Sequence, residues 1–425
     1  MKKIACWIIL AGWFAGSYAT DARVFTMGGH DDFFMDDYSI FRNPGNINYY
    51  PNMLLGSPGT FNETKSDTVA DPAKGNYPAL LRKNENPQNP YFGLIMSYSM
   101  NQASESGTQY PLLSGGLILN RYDDMLNYLT PQTQTFNNAF LASSGFDSAK
   151  MNAMYLPTPV GKIDAMIGYA LQNGIMIGVG TYLAFQKEEK DNNLLQASVY
   201  RGNIGMNWPI AKSMNLEISA GATSVTGIGE DMVGNTISVD TVADNDVSIK
   251  ADVRLFSALT SLNGDFVPHL GVNYIKLNNY KDLNVAFGLG VNVNIDKGFF
   301  WAALEGLYEA RDYKFLGRDS LPNGTGGRIS AGLERNVLFD WWVWRIGVSK
   351  QLMYVSNNNA EGHWEQNAES DGSDHDSFAL GWGLNIENRL KVDVVMAENM
   401  FYTFTNLISG SSHHLTNRIT ATYSF

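Results

Sequence analysis

Six histidines, His30, His269, His363, His375, His413 and His414, are the side chains best suited to pass protons or hold a metal near neutral pH. Hydrolysis would need a serine, a histidine and an orienting acid within hydrogen-bond reach. Ser411, Ser412 and His413 stand together, but no orienting partner can be identified for them, and the chain is read as having no catalytic site. Residues 357–376 gather Glu361, His363, Glu365, Glu369, Asp371, Asp374, His375 and Asp376. Their spacing fits neither a zinc helix nor a calcium loop with Gly at its sixth and Glu at its twelfth position, so a hydrated loop without metal is expected. Asp31, Asp32, Asp36 and Asp37 could bind calcium, but a solvated role, or pairing of the N-terminal segment that holds them, is the preferred reading. Gly178-Val179-Gly180 and Gly288-Leu289-Gly290 lie inside alternating segments and open no helix. A phosphate cradle is therefore excluded, and these glycines are expected to bend a wall or make room beside it. No cofactor motif is found.

The elements that would position such residues are strands. Leu283, Val285, Phe287, Leu289, Val291, Val293 and Ile295 form one face, opposite Asn284, Ala286, Gly288, Gly290, Asn292 and Asn294. Period two sustained this long is a strand signal. Val247, Ile249, Ala251, Val253 and Leu255 repeat it opposite Lys250, Asp252 and Arg254. Further faces run through Trp342 to Val348, Phe378 to Ile386 and Leu390 to Met396. A soluble sandwich and a membrane barrel both alternate, and differ in whether the apolar face looks inward or towards lipid.

Links between the segments separate the two. Short ones at 172–174, 209–213, 263–265, 296–298, 338–340 and 387–388 take turns with longer ones. The longer links are 186–192, 227–246, 314–326 and 354–375, and 276–282 is intermediate. Turns at one end and loops at the other are the habit of a transmembrane barrel. Counting back from the C-terminus gives roughly fourteen to sixteen strands of about ten residues. The first are placed at 50–58, 91–100 and 112–120, and a long loop with some helix covers 121–159. Trp301, Trp341, Trp342 and Trp344 are expected in an interfacial girdle.

Composition and the N-terminus agree. Lys2 and Lys3 precede an uncharged apolar run from Ile4 to Ala15, and Ser17-Tyr18-Ala19 offers a cleavage site, so residues 1–19 read as a signal peptide. The one cysteine, Cys6, lies within it, leaving a mature chain without thiols. Net charge is −12 and basic residues do not cluster, which argues against nucleic-acid binding. The last strand alternates through Leu415, Asn417, Ile419, Ala421, Tyr423 and Phe425. Tyr423 and Phe425 resemble the terminal signal that engages barrel-insertion machinery. The reading is an all-β chain: a closed antiparallel transmembrane barrel in the cell outer membrane, its outer face against lipid.

Residues 20–49 form a separate segment before a barrel of residues 50–425. Met27-Gly28-Gly29, Asp36 or Asp37, Ser39-Ile40 and Asn43-Pro44 resemble the N-terminal signature of the long-chain fatty-acid transporter superfamily. That superfamily includes aromatic-hydrocarbon channels and the PorV-type barrels of type IX secretion. Gly45 replaces the usual Ala, and an Asp- and Phe-rich stretch separates the two halves. The resemblance implies that the segment folds into the barrel as a hatch, with Phe25, Phe33, Phe34 and Ile40 as candidate ligand contacts. It implies a channel for hydrophobic small molecules or, alternatively, a non-transporting platform for a secreted or surface protein.

Glycines 28 and 29 suit a backbone of positive φ close to a wall, and Asn43-Pro44-Gly45 suits a turn. Strand parity sends Glu217, Lys250, Asp252, Arg254, Glu305, Glu334, Arg345, Lys391, Asp393 and Arg418 inward. A lipid-facing Arg or Lys at mid-membrane would cost ~2–4 kcal/mol. Both signs occur, so a paired network is expected rather than a selectivity ring.

Overall fold

A computed structural model of the chain describes residues 21–59, 90–99, 111–123, 125–126, 159–190, 193–231, 243–277, 280–315, 318–319, 323–357, 360–365, 377–387, 389–396 and 416–425. Residues 1–19, read as a signal peptide, the serines and histidine at 411–413, most of the acidic loop and most of the 121–159 link lie outside them.

The strands are β1 (Met53–Ser57), β2 (Tyr91–Ser99), β3 (Leu112–Leu119), β4 (Gly161–Ala170), β5 (Met176–Lys190) and β6 (Asn193–Ala211). They continue as β7 (Met214–Asp231), β8 (Ala243–Leu259), β9 (Gly264–Leu277), β10 (Tyr280–Ile295), β11 (Gly298–Phe315) and β12 (Arg318–Asp319). The last six are β13 (Asn323–Asn336), β14 (Trp342–Asn357), β15 (Ala360–Glu365), β16 (Ser377–Ile386), β17 (Leu390–Met396) and β18 (Thr416–Ser424). Each pairs antiparallel with its neighbour, and β1 pairs with both β2 and β18, which closes the ring. The two-residue β12 and the six-residue β15 hang on the outer ends of β11 and β14, so the wall has 16 strands. Closure leaves the ring without an open edge among the described residues, as hydrocarbon demands.

The alternation runs as lipid requires. Phe287 is 55% exposed, Leu304 61% and Ile329 63%, on the outer face, while Glu217, Arg254, Glu305 and Asp393 are buried within the ring. A soluble sandwich would invert this, so the wall is a transmembrane one and belongs in an outer membrane.

Several strands are longer than the expected ten residues. β5 has 15, β6 19, β7 18 and β11 18. A tilted span uses ~9–11 residues, so the excess rises beyond the membrane on the side away from the C-terminus. This corrects two links. The charged stretch 186–192 is mostly strand, with Lys190 paired to Asn193, and 276–282 closes tightly with Leu277 paired to Tyr280. Beyond the hydrocarbon a strand can carry Lys187, Glu188 and Glu189 on both faces without cost, so polarity there does not mark a loop. The turns nearer the C-terminus stay short and use left-handed residues at Gly174, Asn263, Lys297, Leu338 and Glu387.

A candidate lumen site where the N-terminal segment meets the wall

Residues 21–50 lie inside the ring as a short helix (Asp21–Thr26) and two single 3-10 turns (Asp37–Phe41 and Pro44–Tyr49). The turns are capped locally: the Asp36 side chain accepts from the Tyr38 N–H, and Asn43 accepts from Gly45 N–H, with Pro44 leading the second turn. Gly28 and Gly29 adopt φ of +114° and +86°, which a side chain would resist. The wall is glycine where the segment presses closest. A Cβ on Gly290 would collide with the Phe33 ring, and one on Gly347 with the Met27–Gly28 backbone.

Polar contacts tie the segment to strands on opposite sides of the ring. Arg23, 1% exposed, donates to Glu334 at 2.8 Å and to Asp36 at 2.8 Å. Glu334 also accepts from Arg345 at 2.5 Å, and Arg345 donates to Asp393 at 2.6 Å. Arg254 pairs with Glu217 and donates to the carbonyls of Asp31 (2.7 Å) and Phe34 (3.2 Å). Arg418 holds Asp21 at 3.0 Å. Trp301 donates its indole N–H to the Met27 carbonyl at 3.0 Å, and Asn292 donates to the Phe33 carbonyl at 2.9 Å. Asn203 donates to the Phe41 carbonyl at 3.3 Å.

One polar row crosses seven strands in register: Glu217, Arg254, His269, Gly288, Glu305, Arg328 and Gln351. Gly288 leaves a gap in that row, and the Phe33 ring fills it. Arg328 grips Glu305 with two bonds, at 2.6 and 2.9 Å. A second network binds the start of the 121–159 link. Arg121 is bidentate to Asp164, Arg201 is bidentate to Asp123, and the Arg121 guanidinium lies 4.2 Å from the Phe41 ring centroid.

Between these contacts sit two apolar clusters. One joins Ile40, Ile47 and Tyr50 to Ile95, Ile118 and Met166 of the wall, and the other joins Met27, Phe33 and Phe34 to Phe256, Val267 and Trp301.

Of the residues singled out from the sequence, Met27, Phe33, Phe34, Asp36, Asp37, Ile40, Asn43 and Pro44 are buried against the wall or within the segment. Phe25 is 38% exposed, beside the Arg418 guanidinium. Nine of the ten charges expected inward are buried; Lys250 shares the face of Asp252 and Arg254 but is exposed. Trp301 is a correction. It belongs to the lumen cluster, not to a girdle, because it has the parity of Glu305 and caps the Met27 carbonyl. Trp341 is exposed and stacked on Phe339 at a turn, as an interfacial residue would be. Arg23, Arg121, Asp164, Arg201, His269 and Arg328 were not anticipated. For His269 and Arg328 the signal was available, since both have inward parity beside residues already assigned.

No family model matches the chain, and no curated protein does. Solved structures match the chain at low similarity. CdiB from Escherichia coli is 8% identical with a TM-score of 0.41, covering 88% of this chain and 63% of that one. The chain thus spans less than two thirds of CdiB. The Pseudomonas putida toluene transporter TodX is 8% identical with a TM-score of 0.38, covering 96% and 99%. The Ralstonia pickettii toluene transporter TbuX is 10% identical with a TM-score of 0.29, covering 96% and 97%.

Proposed function

We propose that the chain is an outer-membrane channel protein that passes hydrophobic small molecules without chemistry, with residues 20–49 as a displaceable hatch. The observation that carries this is the composition of what the segment covers. Beside its apolar packing, its attachments are ion pairs and hydrogen bonds, which water can replace. The surfaces beneath are apolar: Ile95, Ile118 and Met166 on one side, Phe256, Val267 and Trp301 on the other. Withdrawal of the segment would leave greasy walls inside a polar lumen, a path on which an apolar solute loses water contact in steps. Phe33, Phe34 and Ile40 then act as placeholders for the solute, since each is packed on the wall in the closed state. The cargo is expected to be a fatty acid or a hydrocarbon of similar apolarity.

The test is uptake of tritiated fatty acid and of an aromatic hydrocarbon by cells with and without the protein, and with residues 21–50 deleted. Faster uptake with the protein, raised further by the deletion, is the expected result. Equal rates in all three would overturn the transport reading.

One observation favours the second reading, a non-transporting platform for a secreted or surface protein. The chain Asp36–Arg23–Glu334–Arg345–Asp393 fills the ring with charge, more than a greasy conduit needs. A platform would show a stably co-purifying protein and no uptake with or without the segment.

A further inference from the structure

The polar row places two histidines against three carboxylates at the junction of segment and wall. His269, on β9, is buried, and its Nε2 lies 2.8 Å from Asp252 Oδ2 on β8. Asp32, on the segment, brings a carboxylate oxygen to the same point: the ligand atoms of Asp32, Asp252 and His269 all lie within 4.8 Å of one another. His30 Nδ1 stands 3.0 Å from Asp32 Oδ2.

The two carboxylates are divided between different neighbours. Arg42 approaches their Oδ1 atoms, at 2.6 Å from Asp32 and 3.7 Å from Asp252. The imidazoles approach the Oδ2 atoms. Arg42 therefore occupies one side of the pair; on the other, the imidazoles are nearest, with Arg328 3.6 Å from Asp32 Oδ2.

His269 is 4% exposed, and its Nδ1 has no hydrogen-bond partner among the described residues. An imidazole buried this fully ordinarily satisfies both nitrogens. His30 has partners on both nitrogens, Asp32 at Nδ1 and Ser330 at Nε2, at 3.0 Å each.

We propose that Asp32, Asp252 and His269, with His30 as the nearest fourth donor, form a site for one divalent transition-metal ion of the zinc type. Mixed imidazole and carboxylate donors suit such an ion and do not suit calcium or magnesium, which take oxygen. Tetrahedral zinc places its ligand atoms ~3.3 Å apart, so the His269–Asp252 pair, now at 2.8 Å, would part slightly to admit the ion. The surroundings fit as well. With Nε2 on the metal, His269 Nδ1 would look towards Glu305 Oε1, now 3.9 Å away. Glu305 is itself fixed by Arg328. A carboxylate behind a ligating histidine sets its tautomer and raises its basicity. Because Asp32 comes from the segment and the other two residues from the wall, the ion would bolt one to the other. The site does not depend on what the barrel transports.

The test uses the full-length protein in detergent, stripped with chelator and titrated with Zn2+ by calorimetry and with Co2+ by visible absorption. One equivalent should bind, with the intense visible bands of four-coordinate cobalt. His269→Gln and Asp32→Asn should each weaken binding at least about tenfold. A variant lacking His363, His375, His413 and His414 should bind as the parent does. Asp32 is outside the wall, so D32N keeps the question open to refutation even if H269Q fails to close its barrel. Absence of stoichiometric binding to the parent, or binding that survives both H269Q and D32N, would overturn the proposal.

Discussion

Arg23 stands where segment and wall exchange charge. Its guanidinium is shared between Asp36 on the segment and Glu334 on β13, all three buried. Removing one partner from a buried ion pair strands the others in low dielectric, at a cost of ~3–5 kcal/mol. Arg23→Ala should therefore free the segment while leaving the ring closed. Limited proteolysis would show cleavage within residues 21–50 in the variant and protection in the parent, with the heat-induced gel shift of the barrel kept. Unchanged protection would mean that packing on Phe33, Phe34 and Ile40 holds the segment alone. Asp37 makes the opposite case. Both its carboxylate oxygens are buried without a hydrogen-bond partner among the described residues. Burial first, and then the Asp36 carboxylate beside it, hold its carboxyl well above the usual range. A raised folded-state pKa favours the docked segment while the group is protonated. That contribution is complete below the ordinary aspartate range near ~4 and is lost as pH rises through the elevated value. Segment protection should accordingly fall as pH rises above the ordinary carboxylate range, and Asp37→Asn, which cannot ionise, should flatten that dependence. An equally steep fall in the Asn variant would assign it to another group.

At the scale of elements, what the sequence made legible follows from period and parity. Alternation over 283–295 located β10, and counting by twos from it and its neighbours sent Asp252, Arg254, Glu305 and Arg345 inward, because a strand gives each residue only two directions. The same counting would have placed Trp301, His269 and Arg328 inward too. Trp301 was assigned to the girdle because aromatic residues near strand ends suggest an interface, yet its parity with Glu305 decides the matter. Strand ends were less visible. Outside the hydrocarbon both faces of a strand meet water, so Lys187 to Lys190 look like a loop although they continue β5. Within the segment, the turn at Asn43-Pro44 and the glycines at 28 and 29 were readable as local geometry. Their partners were not: Arg23 meets Glu334, 311 residues on, and Arg254 meets the Asp31 carbonyl across 223. No local rule reaches such separations. Only closure of the ring, which brings β8, β13 and β18 around one lumen, makes them neighbours.

For the molecule as a whole, closure is the step on which every lumen contact depends. Until β18 lies between β17 and β1 the sheet has open edges, whose unpaired groups are costly in hydrocarbon. The seam is short: β1 has five residues, and it registers with β18 from Met53 opposite Ser424 to Gly56 opposite Ala421. Phe425 adds one bond, donating its N–H to the Asn52 carbonyl at 3.0 Å, while its side chain is exposed, as is that of Tyr423. Neither ring touches the lumen network, so neither has an evident share in stability once the barrel is closed. We propose that their exposure at the seam serves recognition during assembly, with the insertion machinery as the partner. Phe425→Ala should therefore lower the amount of heat-modifiable barrel in the outer membrane several-fold. The same variant refolded into detergent should unfold at the parent's denaturant midpoint, since the backbone bond to Asn52 does not need the ring. Equal loss in both settings would make Phe425 a structural residue of the seam, and equal yields in the membrane would leave the terminal aromatic pair without a role in insertion.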